Sequence, residues 1–160
     1  MFNNADNPAE LRDKFWTLLS KSPFVMLRLN ADETTASPMT AQLDEDADSA
    51  LWFFTSRSGQ YAPMGDAKFT FSSKGHELFA RVDGKLVEET SIERRKTMFN
   101  NFVEAWFPGG IDDPDLLMMR MELGNAEIWN SELGLKATAK LMLGMDVRDD
   151  AKGYHTETAL

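Results

Sequence analysis

Ala50-Leu51-Trp52-Phe53-Phe54-Thr55 is the most strongly β-favouring run in the chain, and its reading decides the fold. The run has no helical spacing and reads as a strand. Side chains alternate along a strand, so Phe53 must face away from Trp52 and Phe54. Phe53 is therefore expected in the core, while Trp52 and Phe54 share the opposite face. Working outward, residues 68–72, 77–82 and 85–89 read as three more short strands. Lys74-Gly75 and Asp83-Gly84 separate them, and Asp-Gly is a strong hairpin signal. Upstream, residues 24–29 form an apolar strand and residues 30–34 a polar turn. Residues 35–43 form a second strand that Pro38 marks as an edge or a bulge. The acids Asp44, Glu45, Asp46 and Asp48 read as a hairpin loop. Residues 116–123 and 126–130 are the last strands, around Gly124-Asn125.

Helices stand before, between and after these strands. Asn7 can cap the first (about residues 8–20), with Pro8 at its first position and Glu10 completing a capping box. Leu11, Phe15, Leu18 and Leu19 form its apolar stripe, and Ser22-Pro23 stops it. A second helix is expected over residues 91–106. Thr90 and Glu93 give it a capping box, and Phe99, Phe102, Val103 and Trp106 form its apolar face. Pro108-Gly109-Gly110 breaks it. A short helix over 135–143 and a polar, peripheral tail over 145–160 complete a single domain, 1–160. Roughly eight strands in short-turn order, not alternating with helices, exclude a doubly wound parallel sheet. They predict a mainly β fold, a closed or split antiparallel barrel with flanking helices.

The chain has 160 residues, with 17 Lys and Arg against 26 Asp and Glu, a net charge of −9. Nucleic-acid binding needs a basic face, and none is clustered here. The same acidity opposes docking on anionic lipid. No apolar run approaches a membrane span, and residues 1–6 lack the features of a signal peptide. A soluble cytoplasmic protein with no nucleic-acid or membrane partner is expected. The absence of cysteine removes disulfides, thiolate metal sites and Cys nucleophiles. His76 and His155 are too far apart in sequence to suggest a metal site. The acids at 44–48 fail the EF-hand template, since Ser49 stands where Gly is needed and Thr55 where the bidentate Glu belongs. No metal is expected. His76 follows a Lys-Gly turn and reads as an exposed turn residue, and the ten methionines read as core or interface fillers. No G-x-S-x-G, Walker A or G-x-G-x-x-G pattern occurs. Thr55-Ser56-Arg57, two hydroxyls and a guanidinium at a strand end, offers a phosphate cradle.

Several segments together resemble one family. They are 51–57 (Leu-Trp-Phe-Phe-Thr-Ser-Arg), 105–110 (Ala-Trp-Phe-Pro-Gly-Gly) and Asp112-Asp113-Pro114-Asp115, with Pro38-Met39, the helix at 11–16 and Ala126-Glu127-Ile128-Trp129. From about residue 8 to 145 the chain resembles the general stress protein 26 branch of the pyridoxamine 5′-phosphate oxidase-like flavoproteins. The resemblance implies an FMN-binding split barrel of Greek-key type. It also implies a homodimer with two flavin sites at the subunit interface. Backbone groups of Pro38, Met39, Thr40 and Ala41 would meet the ring edge. Phe54, Thr55, Ser56 and Arg57 would approach the ribityl chain and phosphate. Trp106 and Trp129 would come near the ring, one of them from the partner chain. FMN is the cofactor so implied, with FAD or a deazaflavin left open.

The chain departs from that family pattern at the phosphate. Many relatives carry Arg immediately before Pro-Met, where Ser37 stands, and Lys where Tyr61 stands; residues 58–66 are also about two residues short. Charge-assisted hydrogen bonds contribute roughly 1.5–3 kcal/mol each, so two lost together weaken FMN by a factor of about 10² to 10⁴. Arg57 remains, and Arg28 is placed to compensate from a neighbouring strand. Two functions follow. One is a flavin-dependent oxidoreductase in which the flavin carries the chemistry and no side chain is named as catalytic acid or base. The other is a non-catalytic, flavin-poor dimeric stress module that has lost its phosphate anchors. Oxidation of pyridoxamine phosphate is disfavoured, because that substrate needs a cationic site of its own.

Overall fold

The computed structural model describes residues 8–45, 47–130, 142–144 and 155–160. Helix α1 (Pro8–Lys21) is followed by strands β1 (Phe24–Leu29), β2 (Asp32–Thr40), β3 (Gln42–Asp44), β4 (Ala47–Ser56), β5 (Gly65–Ser72) and β6 (Leu78–Glu88). Two short helices, α2 (Ile92–Met98) and α3 (Asn101–Glu104), lead through a 3-10 turn to β7 (Leu116–Asn130) and β8 (His155–Ala159). All strand pairs are antiparallel, in the order β2-β1-β5-β6-β7-β4-β3, with β8 on β7. The non-sequential neighbours β1–β5 and β4–β7 are the long returns of a Greek key. The two ends of the sheet, β2 and β3, are consecutive in the chain and joined through Ala41 alone. The chain thus curls the sheet into the expected split barrel.

The interior follows strand alternation. Val25, Leu27 and Leu29 of β1, Ala67, Phe69 and Phe71 of β5, and Leu78, Ala80 and Val82 of β6 are buried in one core with Phe53 of β4. The α1 stripe closes one end, with the Phe15 ring 6.4 Å from Phe69 and 5.9 Å from Phe71. Leu11, Phe15 and Leu19 are its buried residues. The expected cap, Asn7, lies outside the described residues.

Several elements differ from the sequence reading. Asp83-Gly84 is not a turn. β6 runs unbroken through it, with a register shift between Val82 and Gly84 where it crosses β7. A Cβ on Gly84 would lie 2.4 Å from the Glu122 carbonyl oxygen, so the glycine serves close strand approach. Gly124-Asn125 likewise lies inside β7. The first turn is shorter than expected, because Asp32 already opens β2 and its carboxylate accepts from the Thr34 N–H at 3.0 Å. The second strand breaks at Ala41, and Pro38 does lie on an edge strand.

The helix expected at 91–106 is two helices. Ser91, not Thr90, caps the first through the Arg94 N–H, and Asn100 starts the second by accepting from the N–H groups of Phe102 and Val103. The polar tail ends in a strand, β8, with His155 and Thr156 buried against β7. That strand is too short and too polar to register as apolar alternation. The helix expected at 135–143 lies almost wholly outside the described residues. No described helix is long and apolar enough to cross a membrane.

Candidate functional site

A cleft of about 480 Å³ opens where β2, β4 and α3 meet. Pro38, Met39 and Thr40 line it from β2, Gln42 from β3, and Phe54, Thr55 and Ser56 from the end of β4. Phe102, Val103, Trp106 and Phe107 form the opposite wall, and Asp115 closes the polar end. The volume lies in the range of small-molecule sites. β2 is an edge strand, so alternate backbone groups along Pro38–Thr40 are not used by its ladder to β1.

Alternation puts each aromatic of β4 in a different place. Phe53 is fully buried in the barrel. Phe54 turns to the cleft and meets the Phe99 ring edge-on at 6.2 Å. Trp52 shares its face but is covered by α2: its indole N–H donates to Glu89 Oε1 at 3.0 Å and the Arg94 guanidinium lies 4.6 Å from its ring. Trp106 remains 77% exposed, so an aromatic face is left open at the cleft mouth.

The polar end is organised around Asp115. The Ser56 hydroxyl donates to Asp115 Oδ2, and the Ser58 N–H donates to Oδ1 at 3.1 Å. The Arg57 N–H donates to the Asp115 carbonyl at 2.7 Å. The serine hydroxyl, then the Ser58 N–H and the nearby Arg57 charge, hold the Asp115 carboxyl below its ordinary range. The Arg57 guanidinium does not line the cleft; it pairs with Glu88. Among the described residues lining the cleft, none is cationic.

The two positions where the resemblance expects basic residues are also neutral in structure. Tyr61 is buried, and its hydroxyl meets Ser37 Oγ and the carbonyls of Leu27 and Thr35, the latter two at 2.9 Å. Gln60 Nε2 adds a bond to Ser37 Oγ at 3.1 Å. Arg28 of β1 stands opposite Lys68 of β5 and does not line the cleft.

Of the expected site residues, Pro38, Met39, Thr40, Phe54, Thr55, Ser56 and Trp106 thus converge. Arg57 sits beside the cleft. Trp129 lies outside it, on β7, across from Phe79 and His155. Gln42, Phe102, Val103, Phe107 and Asp115 also line the cleft and are not among the site residues expected from the sequence. The sequence signal for Asp115 was its place in the Asp-Asp-Pro-Asp run, but its bond to Ser56 spans 59 residues, beyond any local pattern. Elsewhere, Glu127, His155 and Glu157 bring possible ligand atoms within 4.8 Å of one another. Glu127 there already accepts from Arg81 at 2.6 Å and is bonded to His155 Nε2 at 3.0 Å.

The chain matches the family model "Pyridoxamine 5′-phosphate oxidase like" over residues 10–149, and it belongs to that family. Its solved relatives place it in the general stress protein 26 branch. A general stress family protein from Xanthomonas campestris pv. campestris is 39% identical, covering 80% of this chain and 93% of that one, with a TM-score of 0.69. The general stress FMN/FAD binding protein from Xanthomonas citri is 39% identical, covering 79% and 92%, with a TM-score of 0.70. A general stress protein 26 from Jannaschia sp. CCS1 is 28% identical, covering 95% and 99%, with a TM-score of 0.79. No curated protein matches the chain.

Proposed function

We propose that the cleft binds the isoalloxazine ring of a flavin and that the working unit is a homodimer. The observation that carries this is the meeting, in one cleft, of the free edge of β2 at Pro38–Thr40 with the aromatic faces of Phe54 and Trp106. The ring needs both: an apolar slot for its faces and backbone donors and acceptors for its polar edge. The relative from Xanthomonas citri, described as FMN/FAD binding, supports the same reading. FMN is the flavin that the family resemblance implies.

The second copy is supported by the outer sheet face. Phe24, Met26 and Phe79 are 59%, 44% and 39% exposed on it, around Pro38. Pro38 lines both that face and the cleft, so a copy seated on the face borders the cleft. Trp129 stands across from Phe79 on the same face, and pairing is the route by which it reaches the site of the other copy.

A bound flavin would supply hydride or electron transfer with a reduced nicotinamide or a small oxidisable substrate. The chain's part is to hold the ring, hydrogen-bond its edge and shield it with Trp106 and Phe102. A non-catalytic, flavin-poor dimeric module that has lost its phosphate anchors is the second reading, favoured by the lack of a cation along the described cleft. Titrating the purified full chain with flavin, followed by flavin fluorescence, tests the site. Saturable quenching is expected, weakened about five-fold in Trp106→Ala if ring stacking is worth about 1 kcal/mol. Unchanged fluorescence at high protein concentration would remove the flavin reading.

A further inference from the structure

Resting on the flavin reading of this cleft, we propose that the site selects a flavin with an uncharged tail, riboflavin-like, over flavins ending in phosphate. The reason is that the donors a phosphate would use are already held by a carboxylate of the chain itself. At the end of β4 these donors are the Ser56 hydroxyl and the Ser58 N–H, and both are given to Asp115. The neighbouring cation, Arg57, is turned to Glu88. A phosphate dianion entering there would displace Asp115 or stand against it, with no described lining cation to offset the repulsion.

The same carboxylate suits a polyol. A carboxylate has about four acceptor directions, and the bonds from Ser56 and Ser58 leave others for hydroxyl donors. A ribityl chain offers such donors and no charge. Asp115 is therefore a specificity-determining residue of the site, favouring hydroxyl-rich tails and excluding anionic ones.

The test compares riboflavin and FMN on the full-length protein by fluorescence titration at low and high salt. Riboflavin is expected to bind about ten-fold more tightly than FMN or better. FMN binding is expected to strengthen as salt rises, because added ions screen repulsion; a cationic phosphate site gives the opposite slope. Asp115→Asn, checked for folding by thermal melt, should narrow the gap by raising FMN affinity more than riboflavin affinity. FMN binding ten-fold tighter than riboflavin in the unmodified protein, weakening with salt, would overturn the selectivity and leave the flavin site standing. Uptake of neither flavin would overturn both.

Discussion

The hydroxyl of Tyr61 meets the hydroxyl of Ser37 inside the wall between β1 and β2, so the two positions where the family resemblance leads one to expect charge are here tied to each other. Tyr61 is 2% exposed and also serves the carbonyls of Leu27 and Thr35. Tyr61→Phe removes this donor from a buried place and should cost about 1–3 kcal/mol of stability. Burial, the largest influence on the phenol, pushes its pKa above the free value of 10.0, against the Ser37 and Gln60 hydrogen bonds that lower it. A raised pKa means that stability is complete below the free value and is lost as pH climbs through the folded one. Melting curves from neutral to strongly alkaline pH should therefore show a steeper alkaline loss in the parent than in Tyr61→Phe. Equal slopes would mean that the phenol is not held neutral by the fold.

Asp115 predicts the opposite end of the pH scale. Its hydrogen bonds from Ser56 and Ser58 lower its pKa below the ordinary value of 3.8. The stabilisation is then present above that value and is lost as pH falls through the lower, folded one. The melting-temperature difference between the parent and Asp115→Asn should be constant near neutrality and shrink below about pH 4. A difference that stays flat to strongly acid pH would show that the carboxylate is not held in its charged form.

Much of this was legible in the chain because it rested on local periodicity. The α1 stripe, the inward Phe53 and the edge position of Pro38 need only a few neighbouring residues to be read. What failed were signals whose meaning depends on a distant strand. Asp83-Gly84 reads as a turn until Glu122 is known to pass close by. His155–Ala159 has no apolar alternation of its own and is a strand because β7 offers it an open edge. Within the candidate site, Phe54, Thr55 and Ser56 were readable as a strand end. The Asp115 carboxylate that sits on Ser56 arrives from the far side of two helices, and the Asp-Asp-Pro-Asp run that contains it says nothing of a partner 59 residues away.

Gly84 offers a direct test of the β6–β7 crossing. A methyl there would meet the Glu122 carbonyl at 2.4 Å and Met121 at 2.9 Å, and the first of these is backbone that cannot swing aside. Gly84→Ala should cost about 1–3 kcal/mol as an overpacked contact. Gly75→Ala is the comparison, because there the three nearest atoms to the new methyl belong to the Glu77 side chain, which can swing aside by giving up its bond from Ser73. Chemical denaturation of both should separate them clearly; equal stability would mean that the strands tolerate a wider spacing.

The wall behind the cleft depends on a buried acid. Glu89 is 8% exposed, accepts the Trp52 indole N–H at 3.0 Å and pairs with Arg120 at 3.1 Å. Removing one partner of a buried pair strands the other, at a typical cost of about 3–5 kcal/mol. Arg120 is a third exposed at its side chain and keeps Glu122 at 3.1 Å, so the lower end of that range applies. Glu89→Ala should therefore lose about 3 kcal/mol, while Glu89→Gln, which keeps an acceptor for Trp52, should lose less. Urea unfolding of the two variants reads the difference. Identical losses would assign the stabilisation to the charge pair and not to the indole bond.

The outer sheet face carries the last prediction, because it separates a pairing surface from a merely exposed one. Phe79 lies there 39% exposed, beside Trp129 and near Met26, and its side chain is not part of the barrel interior. Phe79→Asp should lower the stability of the single subunit only modestly, since what it gives up there is a cross-strand pair with Trp129, worth about 0.2–1 kcal/mol. It should convert a dimer to a monomer in light-scattering mass measurements at micromolar concentration, because an unpaired charge at the centre of an apolar interface is costly to bury. Flavin quenching should fall with the dimer if the site needs Trp129 from a second copy. A monomeric parent protein, or a variant that stays dimeric, would move the pairing surface away from this face.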